Sequence, residues 1–337
     1  MLQVLKILLH GAVRLLENLK VVDTISFGTE TSDFAALNNI ASIITDEPKE
    51  YVSFLKEELK MGASFPKARE NALIRFFNND IRYKNILNNP NNILGVEYLK
   101  ALKINKSTIS PVSIKREKVY YNDNKIVDDF ASATAIRKML MNKDFQGLRK
   151  VMPCECYETV RKEFEIGNVI FDIQKFEKEI FYVLRKMTIP QIADLPDVTE
   201  GLENTIKNAA NFCNNIYDFI NIVKTKRYTQ TRIQRILIFA LLGITKKDVQ
   251  LAKKVVPYAR VLGFNKKGKL LLSGIAQNNP KMEVITSVKR FLDNNTNKTY
   301  KRMLDIDIFA TNVYTLGYRG DSMANLDFTK NMIINDI

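Results

Sequence analysis

The sequence predicts an α/β domain built on a parallel sheet, joined to a mainly α-helical region. Three observations predict it. Helical and strand-like segments alternate through the first 150 residues, which favours a parallel sheet covered by helices. From about residue 144 apolar residues recur almost only at three- and four-residue spacing, the pattern of amphipathic helices. With 337 residues, 46% of them hydrophobic and 26% charged, the chain is long enough to bury more than one core.

Residues 11–19 close an amphipathic helix that continues the apolar opening of the chain. Thr24-Ile25-Ser26-Phe27-Gly28 reads as a short buried strand ending in glycine, and the helix started by Asp33 completes a βα unit. Residues 50–61 and 66–77 are further helices, the second with Pro66 in the first turn, where a missing N–H costs nothing. The cluster Asn88-Asn89-Pro90-Asn91-Asn92 is a turn that caps a helix over 93–102; residues 108–114 are strand-like and 116–129 form a polar loop. Helices follow at 171–186, 199–211, 216–224, 229–242 and 247–254. A small mixed module starts at Pro257, with a strand-like 259–264, a Lys266-Lys267-Gly268 turn and a helix over 269–275, and the polar stretch 319–337 is expected to be loosely held. The expected divisions are therefore 1–143, 144–256 and 257–337.

The one unusual bulk property is charge. The chain carries 51 Lys and Arg against 37 Asp and Glu, a net +14, which points to a polyanionic partner. Residues 221–302 hold 19 of the basic residues and three acids, Asp248, Glu283 and Asp293, so the remainder is close to balance, at 32 basic and 34 acidic. Within that segment Lys224, Lys226, Arg227, Tyr228, Arg232 and Arg235 come in quick succession, a surface suited to backbone phosphates. A solvated helix face is the plain alternative, but such faces usually mix signs. RNA is weakly preferred over DNA, because Tyr228, Tyr258 and Tyr300 could stack on unpaired bases and no helix-turn-helix or zinc-finger pattern is visible.

Several classes drop out. The longest nearly unbroken apolar run, 236–244, is far shorter than the ~20 residues of a bilayer-spanning helix, and the apolar opening lacks a basic leader and a cleavage site. No membrane role is expected. Cys154, Cys156 and Cys213 form neither a disulfide framework nor a zinc pattern, which suits a reducing cytoplasm. His10 is the single histidine, so a metal site built on two histidines is excluded, and its apolar helical setting suits a core or boundary role.

Three constellations could carry chemistry. Ala131-Ser132-Ala133-Thr134-Ala135-Ile136-Arg137 opens a helix after a loop, where free N–H groups, the Ser132 and Thr134 hydroxyls and the Arg137 guanidinium would hold a triphosphate; an ordinary N-cap with a surface arginine is the alternative. In Pro90-Asn91-Asn92-Ile93-Leu94-Gly95 an asparagine amide could recognise a base edge or ribose as donor and acceptor together, or simply cap its helix. The third is a pair of strand ends, Gly28 and Arg116, because open α/β sheets gather ligands at the carboxyl ends of their strands; a turn glycine and a solvent-exposed arginine are the alternatives.

Taken in order, Gly11-Ala12-Val13-Arg14-Leu15-Leu16, Ile25-Ser26-Phe27-Gly28-Thr29-Glu30, Pro90 to Gly95, Ile114-Lys115-Arg116, Ala131 to Arg137 and Leu184-Arg185 through Lys224-Thr225-Lys226-Arg227-Tyr228-Thr229 resemble the bacterial tRNA(Met) cytidine acetate ligase family over nearly the whole chain. The Ser132 to Arg137 piece also resembles the second signature of the wider nucleotidyltransferase superfamily, whose ligand is the ATP phosphates. The resemblance implies a Rossmann-like nucleotidyltransferase domain with Gly28, Asn91, Arg116, Ser132, Thr134 and Arg137 at ATP, accompanied by Mg2+ and with no structural metal. It also implies that the basic helical segment binds elongator tRNA(Met), that acetate is the second substrate, and that the product is N4-acetylcytidine at the wobble position, formed through acetyl-adenylate. The family pattern opens with a strand and a His-x-Gly-His loop, for which one histidine is too few. The resemblance thus implies a sheet incomplete at its N-terminus and a chain shortened relative to the family, with no catalytic residue assigned. A tRNA-binding remnant without catalysis is the rival expectation.

Overall fold

The computed structural model describes residues 2–116, 131–320 and 322–335. The polar loop expected at 116–129 lies, apart from Arg116, outside the described residues.

The first region follows the expected α/β order. Helix α1 (Leu2–Leu19) leads to strand β1 (Thr24–Thr29), then to helices α2 (Phe34–Asp46), α3 (Lys49–Lys60), α4 (Phe65–Phe76) and α5 (Pro90–Ile104), and to strand β2 (Ser110–Lys115). The strands pair in parallel, with Thr24 opposite Ser110 and Gly28 opposite Ile114. Parallel pairing requires a crossover, which α2 to α5 supply. Asp33 caps α2 by accepting from the Ala36 N–H at 2.9 Å, and Pro66 lies in the first turn of α4. Phe27 of β1 is buried with Leu37 and Ile40 of α2, Tyr51 of α3, Leu73 of α4 and Val96 and Leu99 of α5. A second, smaller cluster packs Val13 of α1 with Ala101, Leu102 and Ile109. Gly95 lets α5 lie close on β1, since a Cβ there would stand 3.1 Å from both the Phe27 ring and Thr29 Cγ2.

Helix α5 begins at Pro90, not at residue 93. The asparagine cluster is therefore partly its first turn: Pro90 fits there because its lacking N–H is one of those a helix start leaves unpaired. Helices α6 (Ala133–Met141), α7 (Phe145–Val151) and α8 (Cys154–Glu165) share a small cluster around Leu140, Leu148 and Tyr157.

The largest hydrophobic cluster is all-helical. It joins α9 (Glu177–Lys186), α10 (Ile189–Ala193), α11 (Leu202–Phe212), α12 (Ile216–Val223) and α13 (Gln230–Leu242) through residues such as Leu184, Ile192, Ile206, Phe219, Ile233 and Ile236. The helix expected at 171–186 is divided: Asp172 caps a 3-10 turn, Ile173–Phe176, before α9 begins. Lys207 of α11 closes the end of α9, its Nζ donating to the carbonyls of Leu184, Arg185 and Met187 at 3.2, 2.7 and 2.6 Å. Helix α14 (Lys246–Lys254) follows.

The last region departs most from expectation. Strands β3 (Ala259–Arg260) and β4 (Gly263–Asn265) are separate, and α15 (Lys266–Asn278) absorbs the expected Lys266-Lys267-Gly268 turn because Asn265 caps it, accepting from the Gly268 N–H at 2.9 Å. Strand β5 (Val284–Ile285), α16 (Val288–Asn294) and α17 (Lys298–Leu316) come next; α17, with 19 residues, is the longest helix among the described residues and sends Val313 into the helical cluster. The terminal stretch is not loose. Helix α18 (Leu326–Thr329) places Asp327 in an ion pair with Arg260, and β6 (Ile333–Asn335) pairs in parallel with β4. This region also touches the first: Asn279 Nδ2 donates to the Asn18 carbonyl at 2.8 Å.

Candidate functional site

Gly28, Asn91 and Arg116 meet at the carboxyl end of the β1/β2 pair. The Arg116 N–H donates to the Thr29 carbonyl at 2.8 Å, which carries the parallel pairing one residue past β2. Its side-chain stem crosses Gly28 so closely that a Cβ on Gly28 would stand 3.2 Å from Arg116 Cγ. A side chain on Gly28 would push the Arg116 stem aside by a few tenths of an ångström. Arg116 is otherwise exposed, so its guanidinium projects from the strand end as a cation suited to phosphate.

Asn91 is joined to this end through Glu30, whose carboxylate closes the start of α5. Glu30 Oε1 accepts from the Asn91 N–H at 3.2 Å and from Asn91 Nδ2 at 2.7 Å, while Oε2 accepts from the Asn92 N–H at 2.8 Å. The neighbouring Asn92 returns the interaction: its Oδ1 accepts from the N–H groups of Glu30 and Thr31 at 2.9 and 3.1 Å, and its Nδ2 donates to the Ile86 carbonyl at 3.1 Å. The positive end of the α5 dipole is thus already occupied by a carboxylate. Glu30 therefore engages one of the two N–H donors of the Asn91 amide and orients the group.

Ser132, Thr134 and Arg137 open α6 as expected. Ser132 is its N-cap, the hydroxyl accepting from the Ala135 N–H at 3.1 Å. Thr134 and Arg137 are exposed on the first turns, so a helix start, a hydroxyl and a guanidinium lie together there.

The basic segment divides into two kinds of cation. The side chains of Lys224 and Lys226 are exposed and make no hydrogen bond or ion pair among the described residues. The arginines are engaged. Arg227 pairs with Glu200; Arg232 Nε and Nη2 donate to the Asp197 carbonyl at 3.0 and 2.5 Å; and Arg235 pairs with the Asp197 carboxylate at 2.8 Å. Asp197 and Glu200 both lie outside the segment 221–302, so its local excess charge is partly met by acids folded against it. Tyr228 does not serve as a stacking platform. It is 8% exposed, belongs to the helical cluster, donates its O–H to the Thr199 carbonyl at 2.8 Å, and has the Arg232 guanidinium 4.7 Å from its ring centre. Tyr258 and Tyr300 are also partly buried, with their hydroxyls on Asp307 and on the Val256 carbonyl. Burial first, then the Asp307 carboxylate, pushes the Tyr258 phenol up.

Other candidates stay quiet. Cys154, Cys156 and Cys213 are free thiols, and His10 is half-buried on α1. Among the described residues no three His, Cys, Asp or Glu side chains are grouped to hold a metal, and no helix is long and apolar enough to cross a membrane.

The model of the HIGH nucleotidyl transferase family matches residues 6–327. The sequence is 42% identical over 326 residues to a tRNA(Met) cytidine acetate ligase of Thermoanaerobacter sp. (strain X514), covering 96% of this chain and 79% of that protein. The chain belongs to the tRNA(Met) cytidine acetate ligase family. A ligase of the same name from Acetivibrio thermocellus is 39% identical over 332 residues, covering 96% of this chain and 80% of that protein. Among solved structures of the family, Thermotoga maritima TmcAL bound with alpha-thio ATP superposes with a TM-score of 0.86 at 29% identity, covering 98% of this chain and 80% of that one. The chain spans about four-fifths of the length of these ligases. The expected nucleotidyltransferase-type fold is thereby confirmed.

Proposed function

We propose that the protein is an ATP-dependent acetate ligase that acetylates a cytidine of elongator tRNA(Met). The observation that carries this reading is the 42% identity along 96% of the chain to a ligase named for that reaction. The chemistry needs two displacements. An acetate oxygen attacks the α-phosphorus of ATP and pyrophosphate leaves; the N4 amine of the wobble cytidine then attacks the acyl carbon, AMP leaves, and the amine loses a proton. Both steps gain from holding the partners in line and offsetting charge on the phosphates.

Gly28 and Arg116 at the strand end, and Ser132, Thr134 and Arg137 at the start of α6, are the residues we assign to the triphosphate, with Asn91 toward the nucleoside. Glu30 disfavours phosphate at the start of α5 and so supports the α6 start as the anion site. Mg2+ would arrive on the triphosphate, held by phosphate oxygens and water, which calls for no carboxylate cage. Lys224 and Lys226 are assigned to direct contact with the tRNA backbone, and Arg227, Arg232 and Arg235, held by Glu200 and Asp197, together with Tyr228, to the support of that surface. The reaction belongs in the cytoplasm, where its tRNA is.

The test is AMP release from ATP, with and without acetate and tRNA(Met), alongside acetylcytidine measured in the recovered tRNA. Acetate-dependent AMP and acetylated tRNA support the reading. Salt-sensitive tRNA binding with no AMP would favour the non-catalytic RNA-binding rival. Arg116→Ala should weaken ATP binding and leave tRNA affinity unchanged.

A further inference from the structure

Glu30 engages two of the polar groups of Asn91 and leaves its amide oxygen unused. The Asn91 backbone N–H and Nδ2 both donate to Glu30 Oε1, at 3.2 and 2.7 Å, and Asn91 Oδ1 has no partner among the described residues. An ionised carboxylate only accepts hydrogen bonds, so the amide nitrogen must face Glu30 and the amide oxygen must face away. The orientation is doubly held, because Asn92 fixes the main chain of Glu30 and Thr31 through its buried Oδ1. Had the residue facing Asn91 been a glutamine, either amide orientation would have been satisfied.

We infer that Glu30 is a positioning residue for the nucleotide: it locks Asn91 with Oδ1 outward, so that Asn91 accepts a hydrogen bond from an O–H or N–H of the nucleoside half of ATP. This rests on the reading of Asn91 as part of the nucleotide site. Phosphate oxygens, which are acceptors, gain nothing from that oxygen. The donors on the nucleoside are the ribose hydroxyls and the exocyclic 6-amine, and Asn91 distinguishes nucleotides by whether the contacted donor is present.

The experiment is titration of wild type, Glu30→Gln, Asn91→Ala and the double variant with ATP, 2′-deoxy-ATP, 3′-deoxy-ATP and ITP, with melting temperatures recorded for each protein. Glu30→Gln should weaken ATP by about 3- to 10-fold, the worth of one neutral hydrogen bond, and should add nothing in the Asn91→Ala background. Wild type should lose a similar factor for one of the three analogues, and Asn91→Ala should erase that discrimination; this arm needs no change at Glu30 and stands even if Glu30→Gln fails to fold. A Glu30→Gln protein that melts lower but binds ATP as wild type does would overturn the inference, leaving Glu30 a plain helix cap. Equal loss in both backgrounds, or no discrimination among the analogues, would overturn it too. Absence of ATP binding by wild type would instead overturn the nucleotide site itself, and this inference with it.

Discussion

Arg235 of α13 directs both Nε and Nη2 at a single carboxylate oxygen of Asp197, at 3.0 and 2.8 Å, while the main-chain oxygen of the same aspartate takes Arg232. Asp197 holds a positive φ of 66° that suits this double use, since a short polar side chain tolerates the left-handed region. The two arginines therefore brace the loop before α11 against α13. Lys224 and Lys226 have no such duty. Replacing both lysines by Ala should leave the melting temperature nearly unchanged and flatten the logarithmic salt dependence of tRNA binding by roughly 1 to 2 units. Arg235→Ala should instead lower stability by about 1 to 2 kcal/mol, because it leaves the Asp197 carboxylate, a quarter exposed, without its partner. Fluorescence anisotropy over a salt series, paired with thermal melts, separates the two classes.

A buried charge cluster ties α5 to α4. Glu97 of α5 takes Lys100 Nζ at 2.9 and 3.0 Å and lies 4.0 Å from Arg69 Nη1 of α4, with all three side chains less than one-tenth exposed. Burial lowers the affinity of the Arg69 guanidinium for its proton, and the Glu97 charge offsets part of that effect. Glu97→Gln removes the negative member of this trio and sets a neutral amide between two buried cations. It should cost about 3 to 5 kcal/mol by chemical denaturation. Adding Lys100→Met should recover part of the loss, whereas Lys100→Met alone should cost less than Glu97→Gln.

Much of this was legible in the sequence, for identifiable reasons. Phe27, Gly28 and the Asp33 cap are local signals, and the structure places each where its chemistry suggested. Charge, by contrast, is counted along the chain but neutralised across it: Asp197 and Glu200 precede the basic segment and fold onto it, so a one-dimensional count sees a patch where three of the four named cations beyond Lys224 are already paired or bonded. In sequence Tyr228 looks like a ring for bases, because aromatic residues among arginines look alike whether they face solvent or a core. Glu30 was visible, two residues past Gly28, but its partners are about 60 positions away. The Arg69–Glu97 contact is missed for the same reason. Helix α17 escaped because its polar surface dilutes the apolar repeat, and β6 because a three-residue strand is defined by its partner β4.

Asp248 gives the basic region a built-in sensitivity to acid. It caps α14 by accepting from the Thr245 N–H and O–H, each at 2.9 Å, and Arg302 of α17 grips it at 2.9 and 3.0 Å while also reaching the Gly243 carbonyl at 3.2 Å. The Arg302 guanidinium, aided by the Thr245 donors and opposed by partial burial, holds the carboxyl down to about 2. A carboxyl depressed in the folded state stabilises the fold fully above its unfolded value near 4, and that stability is lost as pH falls from there through 2. Because Arg302 is nearly half exposed, water screens the pair and about 1 kcal/mol is expected from it. Thermal melts of wild type and Asp248→Asn should differ by a constant amount above pH 5 and converge as pH is lowered toward 2. A difference that persists unchanged to pH 2 would show that the carboxylate charge is not what stabilises this joint.

The pairing of β6 with β4 predicts that the end of the chain is part of the folded C-terminal region. Gly263 lies opposite Ile333, and a Cβ on Gly263 would stand 2.7 Å from the Ile333 carbonyl oxygen, a main-chain atom that cannot move aside without parting the strands. Gly263→Val should therefore release β6 while leaving β1, β2 and the residues at their ends untouched. Limited proteolysis should cut the variant near residues 330–335 much faster than wild type, and Asp327 should partly hold α18 in place through Arg260. ATP affinity should stay at the wild-type value, because Gly28, Asn91 and Arg116 share no contact with this strand pair. Equal cleavage rates for the two proteins would mean that β6 contributes no protection, and the chain end would then be as loosely held as its composition suggests.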